Sequence, residues 1–225
     1  TQVGGSPVTR ILPVGAISAA LIIVSACTSV VEGEAKTDGS PGLPNGDPES
    51  LLLPREDFPA GAGTYEVLKQ PGDDGPSVSP VECNIFVNHD TVPFEQAAAQ
   101  YEDGAIRVDV VVGKGITDSF SALEEKAGRC KSVTLDLDGV EGTGSVKMGK
   151  ASGATVDTTE SVFSGGLGLG GEQTVEITIK TLTAHPRGAT VTVKVLRAME
   201  PWSSDDDKLA LTLLNKQVAK VQNAP

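Results

Sequence analysis

Three cysteines, two histidines and several carboxylate runs are the residues of this sequence with chemistry to offer. Cys27 stands directly after Val24-Ser25-Ala26, at the end of an apolar run. With Cys27 set apart by the run before it, Cys83 and Cys130 remain as an even pair, which suits a compartment where disulfides persist. A bridge between them would close a long loop, worth on the order of 4 kcal/mol. Their spacing suits neither a CxxC redox site nor a zinc knuckle; the alternative is two unrelated free thiols.

The other chemical candidates have structural explanations. His89 and His185 lack a neighbour at metal-ligand spacing, and His185 precedes Pro186 in a turn-like stretch. Gly166-Leu167-Gly168-Leu169-Gly170-Gly171 spells G-x-G-x-x-G, but that fingerprint needs a helix N-terminus directly after it to hold a pyrophosphate. From Gln173 the chain alternates with a period of two, so the glycines are read as a flexible or tightly turned loop. Asp136-Leu137-Asp138-Gly139-Val140-Glu141 lacks the third acidic position of a calcium loop and reads as solvated strand-end carboxylates. Asp205, Asp206 and Asp207 suit the positive first turn of a helix. No G-x-S-x-G elbow is present. The residues thus call for no catalytic group, no metal and no cofactor.

Arg10 and the apolar run Ile11 to Val24 have the layout of a secretory signal, and Val24-Ser25-Ala26-Cys27 resembles the bacterial lipobox, which implies that a peptidase reaches the backbone before Cys27 and that its thiol carries a thioether-linked diacylglycerol. A bilayer-spanning helix needs about 20 apolar residues; this run falls short and contains Pro13, Gly15 and Ser18. An uncleaved anchor and a buried core helix are the alternatives. The organisation expected is therefore a lipoprotein signal peptide over residues 1–26, a flexible tether over 27–47 and a single extracytoplasmic domain over 48–225. The tether is rich in Gly, Pro, Ser, Asp and Glu and has little to bury against its ordering entropy.

Within the domain, Glu49 to Leu53 reads as a short helix or extended entry stopped by Pro54, and Phe58 as a core-edge anchor. Gln70 to Pro80 reads as loop, and Pro93 to Tyr101 as a helix showing Phe94, Ala97, Ala98 and Tyr101 on one face. Ala105 to Val112 alternates as a strand, with Ile106, Val108, Val110 and Val112 on one side. Thr117 is the candidate cap of a helix running to Arg129. Ser132 to Gly139 predicts a strand, and Gly142 to Lys147 and Ala154 to Thr158 predict weaker ones. Val175, Ile177 and Ile179 line one strand, and Val191, Val193 and Val195 line the next across a Pro186-Arg187-Gly188 turn, predicting an antiparallel pair. Ser203 or Ser204 caps a closing helix with a stripe of Leu211, Leu214, Val218 and Val221, and Trp202 locks it to the sheet. The expected fold class is α+β: a mostly antiparallel twisted sheet packed by about three helices.

A formal net charge of −12 argues against nucleic acid as a partner, because binding it rests on Lys and Arg neutralising phosphates. The order Leu51-Leu52-Leu53, Asp57-Phe58-Pro59, Ser79-Pro80-Val81-Glu82-Cys83, the Val108 to Val112 strand, Phe120 through Cys130, and Val218, Lys220 and Val221 resembles a family of actinobacterial envelope lipoproteins. Their domain is similar to the extracellular sensor domain of the mycobacterial receptor Ser/Thr kinase PknH. The resemblance implies a periplasmic domain with a central cleft for a ligand, but with one disulfide where the kinase domain has two and fewer aromatics for a cleft. It supports a lipid-anchored, non-catalytic ligand-binding or sensor-like module, held to the membrane through acylated Cys27 and taking a small or lipid-like ligand. An accessory subunit docked on an envelope membrane complex is the alternative, which would show an exposed apolar patch instead of a cleft.

Overall fold

The computed structural model describes residues 42–70, 75–88, 92, 94–168 and 174–225; Cys27, the apolar run before it and His89 lie outside them. Among the described residues, nine strands form one sheet. They are β1 (Thr64–Leu68), β2 (Ser77–Ser79), β3 (Gln96–Asp103), β4 (Ile106–Gly113), β5 (Val133–Leu137), β6 (Val140–Lys150), β7 (Thr158–Gly168), β8 (Thr174–Ala184) and β9 (Thr190–Ala198). The order is β1-β3-β4-β9-β8-β7-β6-β5-β2, and every neighbouring pair is antiparallel. Four α-helices accompany it: α1 (Pro48–Leu51), α2 (Asn84–Val87), α3 (Phe120–Arg129) and α4 (Ser204–Asn223). The α+β class expected from the periodicity is the class observed, with two of the four helices only a single turn long.

Two cores occupy opposite faces. On one, Val108, Val110 and Val112 of β4 and Val191, Val193 and Val195 of β9 meet Leu213, Leu214 and Val218 of α4. On the other, Phe163, Ile179 and Val146 meet Phe86 of α2 and Leu123 of α3 beside Cys83 and Cys130. Strand β8 serves both. Its register sets Leu182 against Val193 and Ala184 against Val191, whereas Ile179 meets Leu196. Hence Ile177 and Ile179 lie on the face away from Val191, Val193 and Val195. Because side chains alternate with a period of two, one long strand can present apolar residues to different helices from its two halves.

Several local expectations are corrected. Residues 96–103 form a strand, not a helix: Ala97, Ala99 and Tyr101 pack under α4 while Ala98 and Gln100 face the other side. Pairing with β1 and β4 overrides the helix propensity of three consecutive alanines. Ser77–Ser79, read as loop, pairs with β5. Residues 154–157 are not strand; Thr155 N–H instead donates to Asn215 Oδ1 of α4 at 2.9 Å. Gly166 to Gly168 are the end of β7 rather than a loop, and residues 169–173 lie outside those described. The length of β6 and β7 was hidden by their glycines. A Cβ on Gly144 would come within 2.3 Å of Phe163 Cζ, so glycine there admits the buried ring. Ser119, not Thr117, caps α3, accepting Ala122 N–H at 3.3 Å.

Helix α4 starts with a capping box between Ser203 and Asp206. Asp206 is 2% exposed and also bonds Arg197 of β9. Asp207 accepts Trp202 Nε1–H at 3.0 Å and Lys180 at 2.7 Å. With Asp205 accepting from Lys208 at 2.9 Å, all three aspartates have specific partners beyond the helix dipole, and Trp202, packed on the α4 core, joins helix to sheet as expected. The buried stripe runs through Ala210, Leu213, Leu214, Gln217, Val218 and Val221; Leu211, assigned to it from spacing, is only partly buried. Gln217 is fully buried, donating to Leu51 O at 2.6 Å and accepting Leu53 N–H at 3.0 Å, while Lys220 donates to Leu52 O. These side chains stand in for a ladder along Leu51-Leu52-Leu53. Residues before Pro48 also reach the domain: Asn45 N–H donates to Pro225 O at 2.9 Å.

Candidate functional site

The face under α2 and α3 holds a cleft over the middle of the sheet. Its floor follows from alternation: where Val191, Val193 and Leu182 point toward α4, the intervening residues must point the other way. The register lines them up in rows. Thr159 of β7, Thr183 of β8 and Thr192 of β9 are successive partners, and Ser161, Thr181 and Lys194 form the next row. Thr183 and Thr192 hydroxyls are 3.3 Å apart. Thr181 Oγ1 is enclosed and has no hydrogen-bond partner among the described residues.

The roof is apolar. Ile85 and Phe86 of α2, Leu123 of α3 and Phe94 face the floor, and Met148 of β6 extends the row of Ser161, Thr181 and Lys194. The cavity measures about 80 Å³, or about 740 Å³ with the open space of its mouth. Cys83, just before α2, and Cys130, just after α3, are bonded with Cα atoms 5.7 Å apart and no exposure, so the two roof helices are stapled together. The disulfide expected from the cysteine count is present.

Among the described residues, Lys194 is the one cation in the cleft lining. It is 6% exposed, stands across from Asp109 in the β4–β9 register, and donates to Val87 O at 3.3 Å and to Asn88 O. A buried lysine needs such partners, since an uncompensated charge in the interior is costly. These bonds tie the C-terminal end of α2 to the sheet. Asn88 in turn donates to Pro76 O at 2.8 Å and Asn84 Oδ1 at 2.6 Å.

His185 stands at the end of the floor, in the β8–β9 connection. Its Nδ1 lies 3.2 Å from Thr190 Oγ1, which donates to Gly115 O at 2.6 Å and accepts Thr117 N–H at 3.2 Å. Burial lowers the pKa of His185 from its ordinary 6.5. As pH falls through 6.5 the unfolded chain takes up a proton that the folded chain refuses, so stability must drop. For Asp206, burial acts to raise the pKa, but bonds from Arg197 and Ser203 prevail and hold it below 3.8. Its stabilisation is present above that value and is lost as pH falls through the folded pKa. Urea titrations from pH 7.5 to 3 are expected to show two acid losses, and His185→Gln should abolish the upper one alone.

The remaining sequence candidates do not join the cleft. Asp136 Oδ1 accepts Gly139 N–H at 3.0 Å in the exposed β5–β6 turn. Among the described residues no group of three or more His, Cys, Asp or Glu could hold a metal, and no helix is long and apolar enough to cross a membrane. The floor threonines passed unnoticed in the sequence, although their signal was there: Thr181 and Thr183, then Thr190 and Thr192, recur at every second position opposite the valines.

The sequence matches no family model and no curated relative. Among solved structures, the extracellular domain of PknH from Mycobacterium tuberculosis is similar, with a TM-score of 0.53 at 10% identity over 78% of this chain and 98% of that one. An uncharacterised Mycobacterium smegmatis protein, the Rv0999 ortholog, gives a TM-score of 0.41 at 17% identity over 72% and 91% of the two chains. The α+β architecture is thus a PknH-like fold.

Proposed function

We propose that this chain is a non-catalytic, sensor-like ligand-binding domain on the extracytoplasmic face of the cell envelope, anchored through acylated Cys27. The observation that carries the reading is the cleft: a hydroxyl-bearing floor and an apolar roof, closed over the sheet by two helices that a disulfide joins. Such a combination of apolar walls with a few convergent polar groups is what small-ligand sites have in common. The likeness in fold to an extracellular domain, the disulfide and the lipobox-like residues before Cys27 support the same compartment. A docked subunit would need a contiguous apolar patch. The large exposed apolar residues found, such as Val81, Ile116 and Met199, belong to different segments.

The test is native mass spectrometry of protein extracted from its own membrane. A chain beginning at Cys27 with diacylglycerol, two hydrogens short for Cys83 and Cys130, and a dissociable adduct is expected. Thr181→Trp, which fills the cleft, should remove the adduct and leave the lipid. An unlipidated Cys27, or lipidated protein with no adduct, would overturn the reading.

A further inference from the structure

We propose that a second trough, beside the cleft, binds a slender alkyl carboxylate whose head group is held by Arg107. This goes beyond the cleft, with which the trough shares only Asn88 and Lys194.

The trough crosses the sheet obliquely to the strands. Leu196 of β9, Ile179 of β8, Leu167 of β7 and Leu135 of β5 line it, with Val87 at the end of α2 and Pro76 above. They shift along the strands as they cross: Ile179 pairs with Leu196, whereas Leu167 pairs with Val175, four residues from Ile179 on β8, and Leu167 and Leu135 both pair with Gly142 of β6. Glycine at that crossing is required, because a Cβ there would come within 2.7 Å of Leu167 Cδ2 and 2.5 Å of Gly166 O. From β4 to β5 there are five strand spacings, roughly 24 Å at about 4.8 Å each. A cavity of about 150 Å³ whose lining reaches from Arg107 of β4 to Leu137 of β5 is long and thin. It suits an alkyl chain better than a ring system.

One end of the trough is polar. Arg107 stands opposite Leu196 in the β4–β9 register, with its side chain 35% exposed. Its Nε lies 3.3 Å from both carboxylate oxygens of Asp109, so one edge of the guanidinium is taken. The terminal Nη1 and Nη2 donors have no partner among the described residues. That free fork matches the two oxygens of a carboxylate. Lys194 also lines the trough, across β4 and β9 from Asp109. An apolar channel ending at an open guanidinium edge selects an amphiphile with one anionic head over a neutral lipid.

Calorimetric titration of the full chain with sodium octanoate and with octan-1-ol tests this. A charge-assisted bond lost at a protected site corresponds to about tenfold or more in affinity, so octanoate is expected to bind at least about tenfold more tightly than the alcohol. Arg107→Gln should bring octanoate down to the level of octan-1-ol and leave octan-1-ol unchanged. Leu137→Trp, at the other end of the trough on a partly exposed position, should block both. Thr181→Trp should leave octanoate binding intact, which separates this site from the cleft. Equal affinity for acid and alcohol, binding of neither, or octanoate affinity unmoved in a folded Arg107→Gln chain would overturn the proposal.

Discussion

Replacing Cys83 and Cys130 together by serine is expected to lower the free energy of unfolding by about 4 kcal/mol. The bridge closes a loop of sequence separation 47, and both cysteines are fully buried. The long loop releases much entropy into the unfolded chain once the link is gone, and the serine hydroxyls add the cost of two polar groups in an apolar setting. The loss should be visible as a lower urea midpoint, and hydrogen exchange should rise first in α3, which the link joins to the segment leading into α2. Since those helices roof the cleft, ligand retention should weaken under conditions where the sheet is still folded. A change below about 1 kcal/mol would show that the unlinked chain is already constrained in its unfolded state.

Gln217→Leu is expected to cost about 2 to 4 kcal/mol, although leucine suits a helix and a core. The reason is the backbone it would strand. Gln217 satisfies both Leu51 O and Leu53 N–H, and each buried group left without a partner costs about 1–3 kcal/mol. Gln217→Glu separates size from bonding. It keeps the acceptor for Leu53 N–H but sets a carboxylate oxygen against Leu51 O, so it should also destabilise, and most strongly at neutral pH where the carboxylate is charged. Thermal denaturation of the two variants at pH 5 and 7.5 checks both statements. A neutral Gln217→Leu would mean that the Leu51–Leu53 segment is not docked as described.

The expectations that succeeded rested on local signals. Strict alternation found β4, β5 and β9, and the capping residues and apolar stripe found α4. Where a stretch could satisfy two periods, neighbours decided. Ala97-Ala98-Ala99 has no side-chain pattern strong enough to choose, and β1 and β4 on either side made it a strand. Glycines concealed the length of β6 and β7 because their purpose is long-range: Gly142 and Gly144 make room for Leu167 and Phe163 from the neighbouring strand.

The candidate site divides along the same line. Both cysteines were named from their count and compartment, whereas the threonine floor needed the knowledge of which face of β8 and β9 lies away from α4. Periodicity gave Ile177 and Ile179 one face of β8 and the valines one face of β9, and only the register shows that these two faces lie on opposite sides of the sheet. Alternation puts Arg107 and Asp109 on the side of β4 away from its valines without saying what covers them; in the fold Asp109 is 4% exposed and faces Lys194 across β4 and β9.

By itself, then, the sequence determined the α+β class, the strongest strands, the closing helix and the pairing of Cys83 with Cys130, since periodicity, capping and cysteine parity are carried by residues close together or few in number. Strand order, the choice of face and the assembly of the cleft and trough were decided only by the tertiary structure. A period of two states that a strand has two sides. Which side meets a helix and which meets a ligand depends on register with partners as far off as Leu135 from Leu167, and no local pattern encodes it.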